Sequence, residues 1–326
     1  MTDSVSARAV FRKAVAFRPQ EIVFWLTVVA SLFLFPSRLL LVNEVAIFGL
    51  FALSLDLILG YAGIVSLGHC AFFGVGAYVA GLLAVHGHTE PLSGLVIAGV
   101  GAGLVGLVTS PLILRGSDLT RLMITLGVAA ILYEIANQAS GLTGGSDGLS
   151  GIALSPIFGV FRFDMFGRTA AVYSIAVLFI LFLVARIIVG SPFGLGLRAI
   201  RVNRLRASAI GVPTHTRLIA IYTLGAVYAG VAGALLAQTT QFVSLDLLDF
   251  HRSADVLLAL VLGGGGYLYG GIIGAVIFRV MQDGLSSLTP QYWEFWLGLL
   301  FVAIVLIGRE RFSGIWQIFA RRKAPV

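Results

Sequence analysis

Three carboxylates, Asp56, Glu134 and Asp255, stand inside stretches that are otherwise apolar. An ionisable group is expensive in such a setting. It is read first as a group that binds a solute or carries a proton, and second as one bonded to a neighbouring helix or an arginine. Arg186, Arg279 and Asp283 lie nearer the ends of apolar runs, where a long side chain reaches the interface. Ser66 and His69 are the polar members of GYAGIVSLGHCAFFGVGAYVAG, residues 60–81. A helix end or unwound turn near Ser66 would present backbone N–H groups and the helix dipole to a carboxylate. His69 has no second histidine at metal-site spacing, and His86 and His88 fall in a loop, so no metal site is expected. The two lysines, Lys13 and Lys323, lack Walker A surroundings, and H-E-x-x-H and G-x-S-x-G are missing. P-loop ATP hydrolysis and these hydrolase chemistries are excluded, no cofactor is expected, and energy from nucleotide would have to come from another subunit.

The elements that hold these groups can be read from composition. Of 326 residues, 58% are hydrophobic and 11% charged, with a mean hydropathy of +0.99. A soluble domain carries about 25% charged residues. Asp, Glu, Lys and Arg are absent from Leu57 to Thr89, Pro91 to Leu114, Thr169 to Ala185, Leu218 to Leu245 and Val256 to Phe278. About 20 apolar residues cross a bilayer as a helix, and these runs lack the alternation of a barrel strand. The expected fold is all-α, a polytopic membrane helix bundle. The single cysteine, Cys70, is read as a packing residue.

Charge sets the topology. Fourteen of the 22 basic residues lie in three segments: the N-terminal tail with Arg8, Arg12, Lys13 and Arg18; Arg198 to Arg217; and Arg309 to Lys323. Short basic segments stay cytoplasmic, so both termini and the central segment are expected inside. The positive charge thus belongs to topology, and nucleic acid is not an expected partner. The first span is read as retained, with no convincing cleavage site after Ser31 to Pro36. About eight full spans are expected near 21–36, 39–60, 64–85, 92–114, 121–140, 169–189, 216–239 and 291–308. The run 253–282, broken by Gly263 to Gly266, must then contribute an even number of crossings, as a re-entrant hairpin or two short spans turning at the glycines. This divides the chain into basic tails at 1–20 and 309–326, a membrane-spanning body at 21–308, and a cytoplasmic segment at 191–213.

Forty glycines exceed the usual share, and Gly99-x-x-x-Gly103 and the series Gly266, Gly270, Gly274 suit close helix packing. The segment SPFGLGLRAIRVNRLRASAIGVP, residues 191–213, holds a short helix with Leu197, Ile200, Leu205 and Ala209 or Ile210 on one face. It is either a loop anchored at lipid headgroups or a helix that docks into a groove on a cytoplasmic partner.

Four motifs, in order, resemble the permease subunits of ATP-binding-cassette importers for branched-chain amino acids, the M-type subunit in particular. They are GYAGIVSLGHCAFFGVGAY, LTGGSDGLSGI, SPFGLGLRAIRVNRLRASAIGV and VLGGGGYLYGGIIGA. The resemblance implies a non-catalytic membrane subunit of the bacterial inner membrane. It implies pairing with a second homologous permease, two ABC ATPases and an extracytoplasmic solute-binding protein, with a small-molecule solute as cargo. Carried onto this chain, coupling falls on Arg198, Ala199, Arg201, Asn203, Ala207 and Gly211. The substrate path is expected beside Gly63, Ser66, Gly68, His69, Gly263 and Gly264, with Asp56 and Glu134 as its candidate carboxylates. Thr143, Gly144, Gly145, Asp147 and Gly148 form the outer-loop motif. The chain departs from the family pattern at Val202 and Arg204, where glutamates are common, and at Asp56, where an uncharged polar residue such as asparagine is usual. The alternative is a stand-alone ion-coupled secondary transporter using Asp56, Glu134 or Asp255.

Overall fold

A computed structural model describes residues 19–116, 118–164 and 166–307. The basic residues of both expected tails lie outside the described residues. The described α-helices of more than four residues are α1 (Pro19–Leu34), α2 (Leu39–Leu55), α3 (Cys70–Val85), α4 (Pro91–Ile113), α5 (Asp118–Gln138), α6 (Arg168–Gly190), α7 (Pro192–Val202), α8 (Arg204–Ala209), α9 (Thr214–Thr240), α10 (Phe250–Gly263), α11 (Leu268–Leu288) and α12 (Trp293–Ile307). Among the described residues no strand forms beyond two isolated bridges, Leu149 with Val243 and Ile157 with Phe161. The protein is a polytopic membrane helix bundle. Six of its described helices are long and apolar enough to cross a membrane: Pro36–Gly60, α4, α5, α6, α9 and α11.

The run expected as one span over 64–85 is built differently. Helix begins only at Cys70, and the 16 residues of α3 reach about 24 Å, short of a hydrocarbon core of about 30 Å. The preceding residues, 63–69, are irregular, starting from Gly63 at φ +72°. The glycines marked a break near Ser66, but not that helix would resume only at Cys70, because the run is apolar on both sides of the break. The expected turn at the late glycines is present. Helix α10 ends at Gly263, Gly264 and Gly266 take positive φ, and α11 starts at Leu268. A Cβ on Gly263 or Gly274 would overlap the carbonyl of Gly270 or Ala259, so only glycine permits this hairpin.

The chain divides into two compact units between Val276 and Ile277, within α11. In the first, α2 and α9 are the most buried of the six candidate spans. Helix α9 is clasped through small residues: Gly230 meets Ala102 of α4, Gly233 meets the Phe73 carbonyl of α3, and Gly99, Gly103 and Gly106 of α4 meet Val231, Val227 and Ala226. Where hydrocarbon replaces water, such close packing and a few internal hydrogen bonds hold helices together. Asn43 supplies two of those bonds, donating to Thr239 Oγ1 (3.1 Å) and accepting from Ser174 Oγ (2.6 Å), which ties α2 to α9 and α6. Gln238 donates to the Pro91 carbonyl (2.8 Å) and accepts from Tyr173 (3.0 Å). Helix α1 is fixed to α6 by the Glu21–Arg186 ion pair at 2.6 Å and by Trp25 against Phe179 and Phe182. In the second unit, Arg279 donates to Gln282 at 2.9 Å.

Candidate functional site

The irregular segment 63–69 is the break expected near Ser66, and side chains from three other helices hold it. Leu67 N–H donates to Thr125 Oγ1 of α5 (3.3 Å), and Cys70 N–H donates to Ser253 Oγ of α10 (2.8 Å). A Cβ on Gly68 would overlap the Thr125 carbonyl, so glycine lets α5 lie directly on the irregular backbone. Ala71 and Phe72 donate to the Gly68 and His69 carbonyls. The amides expected to be on offer to a carboxylate are, at Leu67, Cys70, Ala71 and Phe72, already bonded within the chain.

His69 is fully buried, stacked on Phe51 with ring centroids 5.6 Å apart, and its Nε2 lies 2.8 Å from Ser54 Oγ. Ser54 Oγ also sits 2.6 Å from the Phe51 carbonyl. A carbonyl only accepts, and two oxygens that close require the hydroxyl proton between them. Ser54 therefore donates to Phe51 and accepts from His69, which places the ring proton on Nε2. Nδ1 is left as a buried acceptor without a hydrogen-bond partner. Ser66 is buried on the same segment.

A second cluster forms where α2 ends. Residues Asp56–Gly60 are a π-helical turn continuing α2. Asp56 is fully buried, and its Oδ1 accepts from Gly266 N–H at 2.6 Å. Arg201 of α7 donates to the Gly60 carbonyl and lays its stem against Gly63. Arg198 stands 5.4 Å over the Tyr61 ring. The remaining expected coupling residues shape the segment. Ala199 O accepts the Asn203 N–H, Asn203 Oδ1 caps α8 by accepting Arg206 N–H (2.9 Å), Ala207 is buried, and Gly211 turns at φ +85°. Val202, Leu205 and Ile210 are 86%, 83% and 77% exposed.

The residues expected along one path thus separate. Ser66, Gly68 and His69 lie in the clasped segment. Asp56, Gly63, Gly263 and Gly264 lie at or beside the α2 end, where Gly264 donates to the Leu260 carbonyl. Glu134 joins neither cluster; it is exposed on α5 and accepts from Gln138 at 2.6 Å. The outer-loop motif is a rigid turn. Thr143 Oγ1 donates to the Ala136 and Ala139 carbonyls, Gly144, Gly145 and Gly148 take positive φ, Asp147 ends a 3₁₀ turn, and Leu149 pairs with Val243. Sequence reasoning missed Ser54, Thr125 and Ser253. They are ordinary hydroxyl residues in apolar helices, and no spacing marks them.

A family model described as branched-chain amino acid transport system / permease component matches residues 37–306. The high-affinity branched-chain amino acid transport system permease protein LivM of Salmonella typhimurium is 30% identical over 288 residues, covering 80% of this chain and 66% of that protein. LivM of Escherichia coli is 28% identical over 284 residues with the same coverage, so the chain spans 66% of the length of both relatives. The galactofuranose transporter permease protein YtfT of Escherichia coli is 24% identical over 306 residues, covering 90% of this chain and 85% of that protein. No solved structure matches. The match over most of the chain, including all four motifs and both side-chain clusters, places it: the chain belongs to the branched-chain amino acid transport system permease family.

Proposed function

We propose that this chain is the permease subunit of an ATP-binding-cassette importer in the bacterial inner membrane. It moves a branched-chain amino acid or a related small polar solute by alternating access. A second homologous permease completes the pathway, two ATPase subunits hydrolyse the ATP, and an extracytoplasmic solute-binding protein delivers the solute. The chain itself is non-catalytic. Both termini and residues 191–213 face the cytoplasm, and the loop carrying Thr143 to Gly148 faces the opposite side.

The observation that carries this reading is the two-sidedness of the segment from Pro192 to Ile210. One side presents Val202, Leu205 and Ile210 outward, an apolar surface that a cytoplasmic partner would cover. The other sends Arg198 and Arg201 to Tyr61 and Gly60, at the end of a buried helix. A push on the outward side is therefore delivered to α2. The same helix holds His69 through Ser54, and α5 and α10 cover the segment between. Parting of α5 and α10 from residues 63–69 would uncover the Ser66 hydroxyl and His69 Nδ1 for a solute.

The test is the pair Val202→Asp and Leu205→Asp in the tagged chain. Loss of co-purifying ATPase, with the second permease retained, supports the reading. ATPase retained with uptake unchanged overturns it.

A further inference from the structure

We infer that the groove between α1 and α6 seats one anionic phospholipid, with an acyl chain against Trp25 and the phosphate at Arg168. Both helices belong to the first compact unit. The groove runs along α1 from Ile22 to Leu32, holds about 610 Å³, and is lined only by apolar side chains. Trp25 and Ile175, both buried, form its floor, and Leu26 and Val172 stand exposed on opposite walls. Elsewhere in the bundle, helices meet through small residues such as Gly99, Gly103 and Gly230, which let two backbones approach. Apart from Ala176, the residues of this groove are branched or aromatic. They hold a further helix backbone at a distance and leave a slot for a hydrocarbon chain.

The face of α6 that lines the groove identifies the headgroup. Arg168, Val172, Ile175, Phe179 and Arg186 follow one another at steps of three, four or seven residues, so they share one side of the helix. An arginine thus stands at each end of the stripe, about 27 Å apart, close to the hydrocarbon thickness of about 30 Å. Arg186 is answered by Glu21 at 2.6 Å. Arg168 is exposed and makes no ion pair among the described residues, while Asp164, four residues earlier, accepts the Thr169 N–H at 3.0 Å. A cation in the first turn also opposes the helix dipole, so Arg168 adds nothing to the stability of α6 itself. A phosphate in the leaflet on the side of the 141–167 loop supplies the missing anion, and a guanidinium can hold it through two parallel hydrogen bonds. A headgroup without an ammonium suits the site best, because a second cation would repel Arg168. The lipid then fills the joint between α1 and α6.

The test is native mass spectrometry of the protein purified through a tag on this chain, with whatever subunits accompany it, stripped of lipid in detergent and titrated with phosphatidylglycerol or phosphatidylcholine. The parent is expected to retain one phosphatidylglycerol per chain, about tenfold more readily than phosphatidylcholine, the worth of a charge-assisted hydrogen bond to phosphate. Arg168→Gln is expected to bring the two lipids to within about twofold of each other, and Arg168→Lys to restore part of the preference. Ala176→Trp fills the groove from an exposed position and is expected to lower retention of both lipids about tenfold. Leu104→Trp, on an exposed face of α4, is expected to change neither. If Ala176→Trp is not recovered folded, Leu26→Trp on the opposite wall takes its place. Equal retention of the two lipids by the parent, a preference that survives Arg168→Gln, or retention unchanged by the filled groove overturns the inference. Loss of a second permease from the eluate on filling the groove, with lipid retention intact, overturns it as well and makes the groove the seat of a partner helix.

Discussion

Replacing Ser54 with alanine removes one hydroxyl, and His69 Nε2–H thereby loses its acceptor at 2.8 Å inside a site closed to water. Leaving a buried donor unsatisfied costs about 1–3 kcal/mol, which at 25 °C multiplies the open population of the region by roughly 5 to 150. The next residue, Cys70, reports that opening without engineering. Its thiol is buried, donates to the Leu248 carbonyl at 3.3 Å, and is the only one in the chain. Maleimide labelling of Cys70 in detergent-purified protein is therefore expected to accelerate roughly 5- to 150-fold in Ser54→Ala. Ser110→Ala is the control, since the Ser110 hydroxyl donates to the Leu107 carbonyl of its own helix, and there the rate is expected to stay within about twofold. A Ser54→Ala rate equal to that of the control would refute the assigned hydrogen bond, and with it the placement of the His69 proton on Nε2.

Gly76→Leu drives a side chain into the Gly230 backbone where α3 crosses α9, and is expected to abolish recovery of monodisperse protein in size-exclusion chromatography. Gly127→Leu, on an open face of α5, is expected to leave the peak unchanged. For Glu21 and Arg186, paired at 2.6 Å with side chains 18% and 9% exposed, Glu21→Gln is expected to destabilise by about 1–3 kcal/mol after allowance for partial exposure. Thermal unfolding of Glu21→Gln, Arg186→Met and the double variant checks this, with the double less destabilised than the sum of the singles.

What could be read in advance, and what could not, divides along physical lines. The helical, membrane-spanning class was legible because the bilayer demands long uncharged runs, and the chain supplies them. The breaks at 63–69 and 264–267 were legible because glycines cluster there. That α3 covers only part of its crossing was not, since Ile64 to Leu67 are as apolar as the helix after them. Asp56 and Glu134 look alike in sequence, each a lone carboxylate in an apolar run, yet one is sealed at a helix junction and the other lies on an open face. Which face of a helix meets a neighbour is decided by partners far away in sequence. The same holds for Arg201. Its motif marked it for coupling, but its inward reach to Gly60 depends on a turn more than 60 residues further on.

The central claim is that this chain works as one subunit of an ATP-driven importer. The most direct measurement is affinity purification of the tagged chain from its native membrane in mild detergent, with mass spectrometry of what accompanies it and uptake assayed in proteoliposomes with and without ATP. A second permease and P-loop ATPases are expected in the eluate, with uptake that requires ATP. Recovery of the chain alone, with full uptake driven by an ion gradient in the absence of ATP, would contradict the claim and establish an ion-coupled carrier.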